Sequence, residues 1–165
     1  MDHVFYSDGN ADRVSWIIQT GNSIIEQNRE HVDIYKNKIS KLQSKYVALH
    51  IGLFWGIGVF VIKNEDNITI KLDEKIMYEQ FVFNSEIEDG IIIKKIQFIN
   101  QFISQRKLEI KFEMINEENN LAKTYLNKKG WKKRDINKTI KILERAKKNK
   151  HPRIKTLDKY VFWIS

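Results

Sequence analysis

Hydrophobic and polar positions alternate along the first part of the chain, and two turn signals interrupt the alternation. The apolar run HVFYS (3–7) ends at the turn signal DGN, and RVSWIIQTGNSIIEQNRE (13–30) contains two further runs around TGN. Runs of β-branched and aromatic residues between such turns are typical of short strands. The pattern predicts a three-stranded antiparallel meander at the start of the domain.

A helical period follows the meander. Across residues 34–61, apolar side chains recur every three or four positions, which places them on one face of a helix. The residues of this stripe are Leu42, Tyr46, Leu49, Leu53, Ile57 and Val61. The period predicts one long helix that ends by KNEDN (63–67).

The chain then alternates between strand signals and helix signals. ITIKLD (68–73) and LEIKFEMI (108–115) have the period of strands. Helices are predicted for EKIMYEQFVF (74–83), DGIIIKKIQFINQFISQRK (89–107) and NNLAKTYLNKKG (119–130), the last closed by Gly130. The predicted order of elements is βββαβααβα, which is typical of an α/β domain.

The composition changes after this domain. A chain of 165 residues with 42% hydrophobic residues can bury one core and is short for two. Residues 131–165 are strongly basic, and Ile136, Ile140 and Leu143 form a narrow apolar stripe ahead of Pro152. We therefore predict a domain at residues 1–130 and a basic C-terminal helical extension at residues 131–165.

The uncharged run at residues 46–62 raises the question of a membrane span. Its length is at the short limit for a spanning helix, and Gly52 and Gly56 have the spacing of a helix-packing motif. His50 is costly in lipid, and the neighbouring strands offer a sheet that would cover the same helix. We therefore expect a core helix and no membrane partner.

The composition limits the cellular compartments and the types of functional site that we expect. The chain has no cysteine, and the start MDHVFYSDGN lacks the pattern of a signal peptide, so we expect a reducing, cytoplasmic location. The net charge of +8 favours an anionic partner such as nucleic acid or an acidic membrane surface. The four histidines lack metal-ligand spacing, and neither a Gly-rich phosphate loop nor a Ser/His/Asp set is recognisable.

Four stretches resemble, in order, motifs of the ribonuclease H family. VFYSDGN (4–10) resembles its first strand, which ends in an aspartate followed by a glycine, and SKYVALHIGL (44–53) resembles its first helix. ITIKLDEKIMYEQF (68–81) resembles the strand with a second aspartate, and LEIKFEMINEENNLAKTYLNKKG (108–130) resembles the closing strand and helix. The resemblance implies a mixed five-stranded sheet with helices on both faces.

The resemblance also implies an acidic site, and the chain departs from the family there. Asp8 and Asp73 match two of the family's aspartates. Lys45 stands where the family has a glutamate, and Lys123 stands where it has its last aspartate. The charges of these four residues cancel, so the site would be neutral without a metal ion.

An ammonium group removes an oxygen ligand and repels Mg²⁺ at close range. Two-metal hydrolysis depends on carboxylates that hold two ions about 3.5–4 Å apart. We therefore predict a degenerate site closed by ion pairs, with no catalytic residue, metal or cofactor. One alternative is that Lys45 and Lys123 point into solvent. Another is a Mg²⁺-dependent endonuclease in which Asp8 and Asp73 are joined by other acids, with Glu74, Glu79, Glu117 and Glu118 as the candidates.

Two regions are candidates for nucleic-acid contact. By resemblance, Asn10, Lys38 and Lys41 would lie near a bound backbone, whereas any one of them taken alone is better explained as part of a solvated face. In the extension, an aromatic residue among basic ones suits stacking and phosphate neutralisation; these candidates are Trp131, Lys132, Lys133, Arg134, Lys147, Lys148 and Arg153. The alternative for the extension is a solubilising helix whose Trp131 packs onto the domain.

Three functions follow from these patterns. The leading hypothesis is a catalytically inactive ribonuclease H-like module that binds an RNA/DNA hybrid or structured RNA and that could act as a subunit of a larger complex. The second is the rearranged metal-dependent nuclease. The third is a protein-interaction scaffold, in which the apolar end KYVFWIS makes residues 157–165 the docking segment for a protein partner.

Overall fold

The computed structural model describes residues 1–127. Its five strands are β1 (Asp2–Gly9), β2 (Arg13–Thr20), β3 (Ser23–Glu30), β4 (Asn67–Leu72) and β5 (Glu109–Met114). Its α-helices are α1 (Lys41–Gly58), α2 (Lys75–Phe83), α3 (Gly90–Arg106) and α4 (Leu121–Leu126), with a 3₁₀ turn at Glu117–Asn119 before α4. The predicted order βββαβααβα is confirmed across these residues.

The strands form one mixed sheet in the order β3-β2-β1-β4-β5. β1, β2 and β3 pair antiparallel as the predicted meander, and β4 and β5 add in parallel to β1. Parallel neighbours need a crossover, which α1 supplies between β3 and β4, while α2 and α3 supply it between β4 and β5. The central position of β1 makes its ends the places where distant segments meet.

Helices cover both faces of this sheet. Trp16 of β2 is fully buried, and its ring lies against Gly52 of α1. The preceding residue, Ser15, donates a hydrogen bond of 2.6 Å to the carbonyl of Ala122 in α4. Because successive strand residues point to opposite faces, α1 and α4 lie on opposite sides of the sheet.

Helix α1 begins later than its period predicted. The stripe suggested a helix from residue 34, but α1 begins at Lys41. Ser40 and Gln43 form a capping box, in which Ser40 Oγ accepts from the Gln43 amide and Gln43 Oε1 accepts from the Ser40 amide. These bonds satisfy the free N–H groups of a helix start, and residues 33–39 form turns instead.

The core confirms the middle of the apolar stripe predicted for α1, whereas its outer members are half-buried and the last of them lies beyond the end of the helix. Tyr46, Leu49 and Leu53 are fully buried against the sheet. Gly52 allows this close packing, since a Cβ there would lie 2.5 Å from Phe5 Cζ. Within residues 1–127, no helix is long and apolar enough to cross a membrane.

Gly9 allows a similarly close approach at the end of β1. A Cβ on Gly9 would lie 2.2 Å from Ser44 Oγ and 2.6 Å from the Ser44 carbonyl oxygen, both in α1. No other residue type leaves room for the helix at this distance. The first turns of α1 therefore reach the end of β1, which brings Lys45 to that edge of the sheet.

The basic extension is not among the residues described. The predictions for residues 131–165, for Gly130 and for the docking segment at residues 157–165 lie outside residues 1–127 and stay predictions. The same holds for Trp131, Lys132, Lys133, Arg134, Lys147, Lys148 and Arg153.

Candidate functional site

Two aspartates lie side by side at the carboxyl ends of β1 and β4 because of the register of these strands. The parallel ladder pairs Asp2 with Asn67 and continues to Tyr6 with Lys71. Continued for two more residues, the same register reaches Asp8 in β1 and Asp73, the residue directly after β4. Their side chains are only 3% and 4% exposed.

Lys45 supplies the positive charge between them. Its Nζ donates a hydrogen bond of 2.7 Å to Asp73 Oδ1. The same Nζ lies 3.2 Å from Asp8 Oδ1, an ion pair whose angles fall outside those of a hydrogen bond. The Lys45 side chain is 5% exposed, so the ion-paired arrangement expected for this residue is present and the solvent-exposed alternative is wrong.

The surroundings keep Lys45 charged. Burial by itself lowers the pKa of Lys45, but the hydrogen bond to Asp73 and the negative charges of Asp8 and Asp73 outweigh it. The pKa of Lys45 is therefore raised above its usual value, and the group is an ammonium at neutral pH. With two carboxylates and one ammonium, the buried cluster Asp8–Lys45–Asp73 carries a formal charge of −2 + 1 = −1.

Asn120 closes the cluster from the side of α4. This residue is 1% exposed and caps α4 by accepting from the Ala122 amide. Its Nδ2 donates 2.9 Å to Asp73 Oδ2 and 3.0 Å to the Ser7 carbonyl. The sequence interpretation missed Asn120, although an asparagine directly before an apolar helical run is the pattern of an N-cap.

Lys123 is not part of the buried cluster. Its Nζ lies 2.7 Å from Glu117 Oε1, and its side chain is 43% exposed. The nitrogen of Lys41 lies 3.2 Å from the same oxygen, and its side chain is 61% exposed. The four-residue neutral cluster expected from sequence is thus corrected: Lys45 neutralises the aspartates in part, while Lys123 pairs with a surface glutamate because α4 presents it to the rim.

This rim, formed by Lys41, Glu117 and Lys123, has its own electrostatics. The hydrogen bond from Lys123, followed by the bond and charge of Lys41, lowers the pKa of Glu117 to about 2. The hydrogen bond to Glu117 raises the pKa of Lys123 above its usual value, and the charge of Asp8 adds to the effect. Glu117 and Lys123 are therefore both charged at neutral pH.

The remaining candidate residues lie in turns, loops and helix surfaces outside the buried cluster. Asn10 Oδ1 accepts from the amides of Asp12 and Arg13 at 2.9 Å each, so this oxygen caps the β1–β2 turn. Lys38 is exposed in the loop before α1. Among the alternative acids, Glu79 pairs with Lys75 in α2 at 3.6 Å, and Glu74 and Glu118 lie outside the buried cluster.

Solved structures with a similar fold are known, although the sequence alone has no match. The sequence matches no protein-family model, and a comparison with curated proteins found no match. RNase H1 from the halophilic archaeon Halobacterium salinarum matches 74% of this chain and 91% of its own, with a TM-score of 0.61 and 15% identity. LC11-RNase H1, solved in complex with an RNA/DNA hybrid, matches 76% of this chain and 94% of its own, with a TM-score of 0.60 and 18% identity.

A third solved structure agrees with these two. The N-terminal RNase H domain of a Mycobacterium tuberculosis protein matches 76% of this chain and 88% of its own, with a TM-score of 0.59 and 16% identity. The chain has a ribonuclease H fold. The predicted fold class is therefore confirmed for the described residues, including the mixed sheet and the helices on both faces.

The ribonuclease H fold explains why the cluster lies where it does. In open α/β sheets, functional side chains gather at the carboxyl ends of adjacent parallel strands. Here that edge holds Asp8, Asp73 and Lys45. Within residues 1–127, no group of three or more His, Cys, Asp or Glu side chains has the arrangement of a metal site.

Proposed function

We propose that this protein is a catalytically inactive ribonuclease H-like module that binds nucleic acid, either an RNA/DNA hybrid or structured RNA. One observation carries the proposal: the ammonium of Lys45 lies between the two aspartates, at 2.7 and 3.2 Å. The geometry supports binding without cleavage, because the group between the carboxylates is a fixed cation that can neither activate water nor change its charge at neutral pH.

The residues of the cluster do not fit Mg²⁺. That ion prefers six oxygen ligands in an octahedron at about 2.0–2.1 Å and is usually held by one or two carboxylates with several waters. A metal ion bound by Asp8 and Asp73 would have to share them with the Lys45 ammonium, and the two cations would repel each other at close range. No catalytic step through a metal ion follows from this arrangement, so the proposed function needs no cofactor.

Charge and fold support nucleic acid as the partner. The net charge of +8 favours a polyanion. A protein of the same fold, LC11-RNase H1, was solved with an RNA/DNA hybrid. Lys38 and Lys41 are exposed beside the edge that holds the buried cluster. The sequence of the extension adds basic residues around Trp131, whose stacking and phosphate contacts stay a prediction.

Binding is tested by titrating the full chain into labelled hybrid, duplex RNA and single strands at several salt concentrations. We expect log K to fall linearly with log salt, since phosphate contacts release counterions. The double variant Lys38→Gln/Lys41→Gln should weaken binding and flatten the slope by about 2, one unit for each lysine–phosphate interaction removed. As a control, Lys63→Gln/Lys107→Gln makes the same charge change at the opposite ends of the parallel strands, just before β4 and β5. Absence of binding, or equal effects of the two double variants, would contradict the proposal.

Inactivity is tested separately by incubating the same substrates with Mg²⁺ or Mn²⁺. We expect no cleavage by the wild-type protein beyond that of a mock preparation. The thermal midpoint of the wild type should also be the same in Mg²⁺ and in EDTA, because a ligand that does not bind the native state does not stabilise it. Cleavage that an Asp73→Asn variant loses would show an active nuclease and overturn this part of the proposal.

A further inference from the structure

The rim above the buried cluster brings two lysines onto a single oxygen atom. Lys123 Nζ lies 2.7 Å and Lys41 Nζ 3.2 Å from Glu117 Oε1. The two ammonium groups therefore lie closer together than the sum of these distances. They come from different elements, Lys41 from the first turn of α1 and Lys123 from α4.

Two like charges at this separation repel each other unless an anion lies between them. In the free protein, Glu117 supplies that anion from the 3₁₀ turn before α4. Its side chain is 46% exposed, and exposed ion pairs contribute little net stability. A second anion of suitable shape can therefore replace the carboxylate at small cost, and the side chain of Glu117 has solvent to turn into.

A phosphodiester suits the two lysines better than one carboxylate oxygen does. Its two non-bridging oxygens allow each ammonium to bind a separate acceptor in a charge-assisted hydrogen bond. With Glu117 turned away, Lys41 and Lys123 contribute +2 beside the buried cluster, whose formal charge is −1. The local sum is then +2 − 1 = +1, which favours an anion with a single negative charge.

We propose that Lys41 and Lys123 form a binding site for a backbone phosphate of nucleic acid, and that Glu117 occupies this site in the free protein. The proposal rests on the proposed function and deepens it by naming a phosphate site and the group that competes for it. Glu117 thereby lowers affinity for nucleic acid and limits the binding of free phosphate.

The site itself is tested with inorganic phosphate alone. Phosphate is titrated into the full-length protein while NMR follows the side-chain ammonium signals of its lysines. We expect the signals of Lys41 and Lys123 to shift together, and at lower phosphate concentration in Glu117→Gln than in wild type. The matched control is Glu118→Gln, which makes the same charge change one residue away, at a glutamate without an ion pair among the described residues. Equal responses in the two variants would overturn the proposal.

Nucleic acid is then used as the second probe. Glu117→Gln should raise the affinity for an RNA/DNA hybrid about two- to fivefold over Glu118→Gln, the range expected when one exposed ion pair no longer competes. The triple variant Glu117→Gln/Lys41→Gln/Lys123→Gln should lose this gain. An equal affinity of the two single variants would contradict the competition by Glu117.

The two proposals fail in different ways. If wild type binds hybrid but Glu117→Gln and Glu118→Gln behave alike in both experiments, the phosphate site is wrong and the proposed function stands. If no form of the protein binds nucleic acid while phosphate still shifts Lys41 and Lys123, the proposed function is wrong. In that case the site is an anion site without a nucleic-acid partner, which also overturns the inference as stated.

Discussion

The two ends of the β1–β4 ladder each bury carboxylate groups, and they satisfy them in different ways. At the starting end, Asp66 Oδ2 accepts 2.7 Å from the Lys63 amide and lies 2.9 Å from His3 Nε2. At the other end, Asp8 and Asp73 share the ammonium of Lys45. The first carboxylate is held by a local turn, by a neighbouring strand and by the N-terminal ammonium of Met1 at 3.0 Å from Asp66 Oδ1, whereas the second pair depends on a helix.

This difference separates a structural group from a site. Asp66 closes the turn that leads into β4 through the Lys63 amide, and it joins this turn to the start of β1 through His3 and the N-terminal ammonium of Met1. The buried cluster Asp8–Lys45–Asp73 removes three charged groups from water at a desolvation cost that its ion pairs offset only while all of them are present. A buried charged cluster is therefore weak evidence for stability, and its position at the carboxyl ends of parallel strands supports the proposed function.

The largest expected effect comes from removing the shared cation. Lys45→Ala leaves Asp8 and Asp73 buried without a counterion, and we expect a loss of about 3–5 kcal/mol in the free energy of unfolding. Urea unfolding monitored by circular dichroism measures it. The control variant Asp8→Asn/Lys45→Met/Asp73→Asn removes every charge together and should regain most of the stability. An unchanged midpoint in Lys45→Ala would contradict the buried ion pairs.

A smaller loss is expected at the opposite end of the ladder. Asp66→Ala removes a buried acceptor from the Lys63 amide and from His3, so we expect a loss of about 1.5–3 kcal/mol. Burial raises the pKa of Asp66, but the bonds from Lys63, His3 and the N-terminal ammonium outweigh it and lower the pKa to about 2. The stabilisation is complete above pH 3.8, the usual value, and is lost as the pH falls towards 2.

An acid titration measures the contribution of the Asp66 charge by itself. The difference in stability between wild type and Asp66→Ala should be constant near neutrality and shrink between about pH 4 and pH 2. Denaturant midpoints of both proteins across this range measure it. A difference that does not change with pH would show that Asp66 contributes only through packing.

Gly9 tests how closely the helix approaches the buried cluster. Gly9→Ala places a Cβ 2.2 Å from Ser44 Oγ and 2.6 Å from a backbone oxygen that cannot move alone. We expect a loss of about 1–3 kcal/mol, the usual cost of overpacking. Gly90→Ala is the matched control, because no atom outside the two chain neighbours and the backbone of its own helix lies within 4 Å of the added Cβ. Equal midpoints for the two variants would contradict a tight contact at Gly9.

The last prediction concerns alkaline pH, where the difference in stability between wild type and Lys45→Met should stay constant. Since the pKa of Lys45 is raised above 10.5, the stabilisation by its charge is fully present below that pH and is lost only as the pH passes the raised value. The gap in stability between wild type and Lys45→Met should therefore not change from neutral pH to about pH 10. A gap that closes within this range would mean that Lys45 loses its proton earlier than its two carboxylate partners allow.

Local patterns in the sequence determined most of the fold. Alternation and helical periods are properties of consecutive residues, so they predicted the meander, both parallel strands and every helix up to α4. The start of α1 was misplaced because the apolar period says nothing about hydrogen bonds at a helix end. The capping box at Ser40 and Gln43 decided it, and this signal was present in the sequence.

The resemblance to the ribonuclease H family also indicated that Lys45 and Lys123 replace acidic residues. It did not indicate which groups these two lysines would contact. Lys45 and Lys123 had the same charge and similar positions near the start of a helix, and only the tertiary structure separated them. Lys45 lies under the end of β1 because Gly9 admits the helix, and it is buried between Asp8 and Asp73. Lys123 lies at the rim with Glu117. The ion-pair partners of a charged side chain depend on the direction of that side chain and on the register of segments that are far apart in the chain. A local sequence pattern predicts neither of them.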